Sequence, residues 1–255
     1  MQNMIQFLNK LANRLGYQIN VQKINFPYDI KSDGEFMELY LQCKAFSMTS
    51  LERMFGLYQS LLYLIENKIP GDFVECGVWK GGSAMMIALV LKKHGLTDRK
   101  IFLYDTFEGM TEPTEEDKTV KGKKADVMMK NEASDKVSAS SVWCYSPLDE
   151  VKKNIEATGY PVSQVYFIKG KVEDTLSSNL PGKIALLRLD TDWYVSTRTE
   201  LELLYPLLEQ KGIMIIDDFG HWEGAKKAVV EYFQKNGKFP LLQRLDYTGR
   251  LLIKE

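Results

Sequence analysis

The sequence predicts an α/β fold built on a doubly wound, mostly parallel sheet, and three observations predict it. An apolar strand at 72–76 breaks at Gly77 into a glycine-bearing turn, and a helix follows from about Ser83 through Leu91. Strand-like runs at 100–105, 164–169, 184–190 and 212–217 alternate with helical patterns at about 147–155 and 195–209, the second interrupted near Pro206. The runs ending at Asp190 and at Asp217-Asp218 are apolar enough to be buried on two faces, as parallel strands are.

The turn after the first strand reads as a ligand cradle. Gly77 permits backbone torsions that other residues resist, and Gly81-Gly82 leave room for a ligand against bare main chain. The amides opening the next helix favour a carboxylate or phosphate above them. A dinucleotide fingerprint requires G-x-G-x-x-G, whereas this chain has Gly77-x-x-x-Gly81-Gly82, which disfavours a nicotinamide enzyme. Glu75, two residues before Gly77, is near enough to meet a cationic amino group. Asp105, at the end of the second strand, suits a ribose diol. S-adenosylmethionine presents that set of groups; the bland alternative is a tight connection with no ligand.

The chain has 255 residues, 45% hydrophobic and 26% charged, enough for one elaborated domain. Its 33 basic and 34 acidic residues give a net charge of −1, so no general field attracts nucleic acid or an anionic bilayer. Cys43, Cys76 and Cys144 are odd in number and widely spaced, which argues against a disulfide framework or zinc knuckle and for a reducing cytoplasm. No run approaches a membrane span, and the start has no continuous apolar segment; a soluble, unprocessed protein is expected.

Residues 1–69 read as an N-terminal helical extension and 70–255 as the catalytic domain. Ile5, Leu8, Leu11 and Leu15 give a helix over 2–16, either docked on its own domain or serving as a homodimer arm or cover. The stretches 25–30 and 31–34 read as turns. Thr49-Ser-Leu-Glu52 has capping-box spacing and opens a helix over about 50–66. Its start, with Thr49, can close over the donor's amino acid end, although capping alone explains Thr49. The polar stretch 111–146 reads as a cover inserted over the site, anchored by Trp143, Cys144 and Tyr145. The run Lys121–Lys124 reads as solvated.

After the strand at 164–169, the turn Lys171-Val-Glu173 can border an adenine, with an acid accepting from its exocyclic amine; a solvent-facing loop is the competing reading. Asp190, Asp217 and Asp218 end adjacent strands and should meet beside the ligand crevice. Clustered carboxylates repel without a cation, and hard oxygen ligands suit magnesium or calcium. Otherwise Asp217 caps the next helix and Asp190 ends its strand. Asp192 faces solvent, supports the site or orients substrate; His221 either packs at a helix start or contacts substrate, and His94 is structural. A hairpin of 239–244 and 249–253 closes the sheet edge.

With the glycine turn, Asp105-Thr-Phe-Glu-Gly109, Arg188-Leu-Asp-Thr-Asp-Trp-Tyr194 and Ile215-Ile-Asp-Asp-Phe219 in this order, the chain resembles the macrocin O-methyltransferase (TylF-like) family of macrolide and aminocoumarin biosynthesis, over roughly residues 45 to 235. The resemblance implies a class I methyltransferase (Rossmann-like) fold, S-adenosylmethionine as donor, magnesium, and methylation of a sugar hydroxyl. It assigns Glu75, Gly77 and Ser83 to the donor's amino acid end and Asp105 to its ribose. It assigns Asp190, Asp217 and Asp218 to the metal, with Asp190 also the general base. The acceptor-holding regions, the N-terminal part and 111–146, depart from the family, so acceptor identity does not transfer. A catechol or other phenolic acceptor would use the same chelation, and a non-catalytic binding protein retaining the fold is the alternative of another class.

Overall fold

A computed structural model of the chain describes residues 27–138 and 141–255. It divides into two compact units, Met1–Gly34 and Glu35–Glu255. The helix expected at 2–16, and with it the dimer arm, lies outside the described residues. In the first unit Tyr28–Ser32 is helical where turns were expected. Pro27 stands at its N-cap with φ −49°, and Asp29 in the first turn favours the helix dipole. The second unit begins well before residue 70, so the helix Leu51–Glu66 belongs to the same unit as the sheet rather than to an extension ending at 69.

The described residues form one sheet of seven strands, β1 (Asp72–Cys76), β2 (Ile101–Asp105), β3 (Val165–Lys169), β4 (Ile184–Leu189), β5 (Leu208–Ile216), β6 (Gln243–Arg244) and β7 (Arg250–Ile253), in the order β3-β2-β1-β4-β5-β7-β6. The first five are parallel. β7 runs antiparallel to β5 and β6 antiparallel to β7, which is the expected hairpin edge. Every residue of β4 is buried, as is the second half of β5, so both strands carry helices on two faces. Fully burying each of their Leu and Ile side chains contributes about 1.5–3 kcal/mol.

β1 lies between β2 and β4, and the chain leaves it in opposite directions on the two sides. A crevice therefore opens at the carboxyl ends of β1 and β4. The helices mostly follow the sequence periodicity: Leu51–Glu66, Gly82–Lys93, Leu148–Ala157, Tyr194–Leu203 and Glu223–Lys235. β5 starts earlier than the sequence suggests. Pro206 ends the preceding helix in a 3₁₀ turn at Tyr205–Leu207, and a left-handed Lys211 (φ +64°) lets the chain enter the sheet at Leu208.

Two local expectations are corrected. Ser50, not Thr49, caps the helix Leu51–Glu66: its Oγ accepts from the Arg53 amide at 3.1 Å. Gly82 does not open space for a ligand. A Cβ there would meet Ser47 Cβ at 2.6 Å and the Phe46 carbonyl oxygen at 2.7 Å, so the missing side chain admits the 46–47 backbone instead.

Candidate active site

A cavity of about 460 Å³ occupies the crevice. At one end are Gly77, Val78, Trp79, Ser83, Asp105 and Glu173; at the other are Asp190, Asp192, Asp218, His221 and Trp222. Phe46 to Thr49, just before the helix Leu51–Glu66, and Arg53 within it also line the cavity. Gly77 is left-handed (φ +81°), and any Cβ on it would overlap the carbonyl oxygen of Asp190, whose amide in turn donates to Cys76 O at 2.8 Å. This glycine is fixed by the close approach of the β1 and β4 termini.

Glu75 is fully buried. Its Oε1 accepts from the Ser83 hydroxyl and, at 2.6 Å, from Arg188 Nη1, while Oε2 has no partner. Burial pushes this carboxyl up to about 7, against the pull of Arg188 and Ser83. Asp105 is spent largely on the turn itself. Its Oδ2 accepts from the amides of Val78 (2.6 Å) and Trp79 (3.2 Å) and its Oδ1 from Phe107 (2.7 Å). Burial raises it, and those amides hold part of the shift back. Glu173 Oε2 is another buried oxygen without a partner.

Arg188 is the residue that sequence reasoning missed. Only 2% exposed, it donates to Glu75 and to Asp190 Oδ2 (2.7 Å) through Nη1, and to Asp217 Oδ1 (2.6 Å) and Thr49 Oγ1 (3.0 Å) through Nη2. One guanidinium thus ties the buried Glu75, which does not line the cavity, to Thr49, Asp190 and Asp217, which do. The available signal was a lone cation inside the apolar run Ile-Ala-Leu-Leu-Arg-Leu. Its fork geometry suits several carboxylates at once, as a lysine would not.

The carboxylates divide differently from the sequence grouping. Asp217 is committed to Arg188 and, through its other oxygen, to Arg53 Nη1. Asp190, Asp192 and Asp218 instead bring ligand oxygens within 4.8 Å of one another. Asp192 enters this group because its backbone is left-handed (φ +65°), a torsion that an aspartate tolerates better than most residues. Burial pushes Asp192 up to about 7, with Asp190 adding to the shift. Burial and the two neighbouring aspartates also raise Asp218. Such a set is costly as three anions and is relieved by a cation. His221 stands beside Tyr247, and burial together with Arg53 and Lys121 holds its imidazole below its ordinary pKa.

The 111–146 insertion forms a wall at the acidic end. It carries the helix Ala125–Asn131, whose Ala125 and Met129 pack with Trp193, Trp222 and Ala225, with Met110, Met128, Val142 and Trp143 against them. Trp143 Nε1 donates to Met129 O at 3.0 Å, consistent with an anchoring end there. Lys121, Lys123 and Lys124 are exposed, as expected. Among the described residues no helix is long and apolar enough to cross a membrane.

Comparison with known proteins adds identity to this geometry. The chain is 35% identical over 205 residues, 80% of its length and 74% of the relative's, to the 8-demethyl-8-(2,3-dimethoxy-alpha-L-rhamnosyl)-tetracenomycin-C 4'-O-methyltransferase of Streptomyces olivaceus. It is 29% identical to mycinamicin III 3''-O-methyltransferase of Micromonospora griseorubida, covering 80% of this chain and 77% of that one. Among solved structures, the O-methyltransferase NovP superposes with a TM-score of 0.71 at 30% identity over 82% of each chain. CalS11, a calicheamicin methyltransferase, shares the fold at a TM-score of 0.58 and 18% identity, over 91% of this chain and 99% of its own. The model of the macrocin-O-methyltransferase (TylF) family matches residues 40–253, extending beyond the 45–235 stretch that carries the sequence resemblance, so the chain belongs to that family and is an S-adenosylmethionine-dependent O-methyltransferase.

Proposed function

We propose that this enzyme methylates a hydroxyl of a sugar carried by a glycosylated small molecule, and that it does so with a divalent cation, magnesium, beside the acceptor. The observation that carries the reading is the convergence of Asp190, Asp192 and Asp218 in the cavity that also contains the glycine turn. The residues present fit both absent groups. Of the three described buried carboxylate oxygens that lack partners, two, Glu75 Oε2 and Glu173 Oε2, suit the cationic amino group and the exocyclic amine of the donor; Glu200 Oε2 is the third. Three aspartates of hard oxygen donors suit magnesium.

The sulfonium of the donor supplies an activated methyl group, so the chain has mainly to place an acceptor oxygen in line and remove its proton. In this reading Glu75, backed by Ser83 and Gly77, holds the donor's amino acid end, with Thr49 closing over it. Asp105 stabilises the turn through three amides and faces the ribose, and Glu173 accepts from the adenine. Asp190, Asp192 and Asp218 would hold magnesium, which when bound lowers the pKa of a coordinated hydroxyl. Asp190 takes the departing proton on its carboxylate, and Arg188 at 2.7 Å keeps that carboxylate oriented. Met110, Met128, Val142 and Trp222 exclude water from the acceptor end.

The test is calorimetric titration with S-adenosylmethionine in magnesium buffer, followed by methyl-transfer assays on a panel of glycosides and free catechols with and without chelator. Transfer to glycosides that chelation abolishes is expected. Turnover confined to catechols would overturn the sugar assignment, and chelator-resistant turnover would overturn the cation.

A further inference from the structure

Asp117 sits in the insertion yet is only 1% exposed. Its Oδ2 accepts from the amide (2.7 Å) and hydroxyl (2.8 Å) of Thr114, closing a local turn. Its Oδ1 accepts from the amide of Tyr194 at 2.7 Å. Tyr194 opens the helix Tyr194–Leu203, whose own N-cap residue, Trp193, makes no side-chain cap. The capping acceptor therefore comes from a segment far away in sequence.

The same oxygen lies against the start of a second helix. A Cβ on Gly224 would overlap Asp117 Oδ1 and meet the Tyr194 amide nitrogen at 3.1 Å. Gly224 is the second residue of the helix Glu223–Lys235, and its φ is not in the left-handed region, so the backbone does not demand glycine there. The space taken by Asp117 does. The chain on either side of Asp117 is stitched to the same two loops. The Lys118 carbonyl accepts from the Glu223 amide at 2.8 Å, the Val120 amide donates to His221 O at 2.9 Å, and Thr119 pairs with Trp222. Trp193 Nε1 donates to Thr111 O at 3.0 Å, and the Asp117 carbonyl accepts from the Ala125 amide that opens the insertion's helix.

These two loops carry the acidic group: Asp190 and Asp192 immediately precede Tyr194, and Asp218 precedes Trp222. We propose that Asp117 is a positioning residue for that group, a cap supplied by the insertion that fixes the Asp190–Tyr194 turn against the Asp218–Gly224 turn. The insertion is then a latched wall that sets the cation end of the cavity through Asp117, while its contact with the loop after Asp105 runs separately through Trp143, whose carbonyl accepts from the Met110 amide. The inference rests on the cation reading above for its consequence, but the latch itself can be measured separately.

The experiment compares wild type with Asp117→Ala, Asp117→Asn, Gly224→Ala and the Asp117→Ala/Gly224→Ala double variant, using Mn²⁺ and S-adenosylhomocysteine as separate probes and amide hydrogen exchange as a third readout. Asp117→Ala should weaken Mn²⁺ binding by about 10- to 100-fold, the range for lost support of a metal ligand. S-adenosylhomocysteine affinity should stay unchanged, and exchange at the Tyr194 and Glu223 amides should quicken by at least about tenfold. Gly224→Ala should reproduce this by displacing the carboxylate, and the double variant should be no worse than either single change. Asp117→Asn, which keeps an acceptor oxygen, should recover most of the Mn²⁺ affinity. Wild-type exchange at Tyr194 in Asp117→Ala, additive effects in the double variant, or equal loss of both probes would overturn the proposal. Wild-type protein that binds no Mn²⁺ while Asp117→Ala still loses amide protection would instead sink the cation reading and leave the latch standing.

Discussion

The α-carbon of Gly77 faces the carbonyl oxygen of Asp190 so closely that no side chain fits between them, and Gly77 is left-handed as well. The glycine turn proposed to carry the donor and the residue proposed to remove the proton are thus parts of one backbone contact. Gly77→Ala should destabilise the protein by at least about 2 kcal/mol, because the torsion alone costs roughly 1–2 kcal/mol and the overlap forces the strand ends apart. Urea unfolding measures the loss; a variant of wild-type stability would mean that the two strand ends are free to move.

Arg188 is the buried cation shared by Glu75, Asp190 and Asp217, so Arg188→Met leaves Glu75 with the Ser83 hydroxyl and Asp217 with Arg53. Breaking a buried pair by removing one member costs about 3–5 kcal/mol. The deficit should be largest near neutral pH and shrink on acidification, as the abandoned carboxyls take up protons. Unfolding curves at pH 5 and pH 7 provide the check, and equal deficits at both would argue against charge as the cause.

Glu75 gives a pH dependence of defined sign. Its carboxyl is raised from 4.5 to about 7 by burial, so between those values the folded chain retains a proton that the unfolded chain releases. Stability contributed at this residue therefore falls as pH rises through that window. Relative to wild type, Glu75→Gln should gain about 2 kcal/mol between pH 5 and pH 7. A difference between the two proteins that does not change with pH would contradict the shift.

Asp190→Asn should bind S-adenosylhomocysteine like wild type while turnover falls by about 10²- to 10⁴-fold, the usual contribution of a general base. Calorimetry and a single-substrate rate assay separate the two effects. Full turnover in the variant would remove Asp190 from its role.

Magnesium at 100 times its dissociation constant should stabilise the wild type by about 2.7 kcal/mol against unfolding. Asp192→Asn/Asp218→Asn should show no such gain, because the variant replaces two of the three converging carboxylates by neutral amides, whose oxygens are far weaker magnesium ligands. Thermal unfolding with and without magnesium decides this, and a full gain in the variant would point to a site elsewhere.

Much of the architecture was legible because it is local. The apolar strand before Gly77, the periodic helix after it and the fully buried runs ending in aspartates each declare themselves within a few residues, and their order identifies the family. The grouping proposed for the donor is local for the same reason: Glu75, Gly77 and Ser83 are close in sequence and remain close in the fold.

The acidic group was decided by tertiary structure. Adjacent in sequence, Asp217 and Asp218 looked equivalent, yet Arg53 and Arg188, from a distant helix and a neighbouring strand, claim the first and leave the second facing Asp192. The left-handed backbone at Asp192, the 46–47 segment that fills the space over Gly82 and the reach of Asp117 to Tyr194 are likewise set by contacts between segments far apart in the chain. Propensity and periodicity report what each segment prefers by itself; which carboxylate meets a guanidinium and which meets other carboxylates depends on how the sheet order brings those segments together.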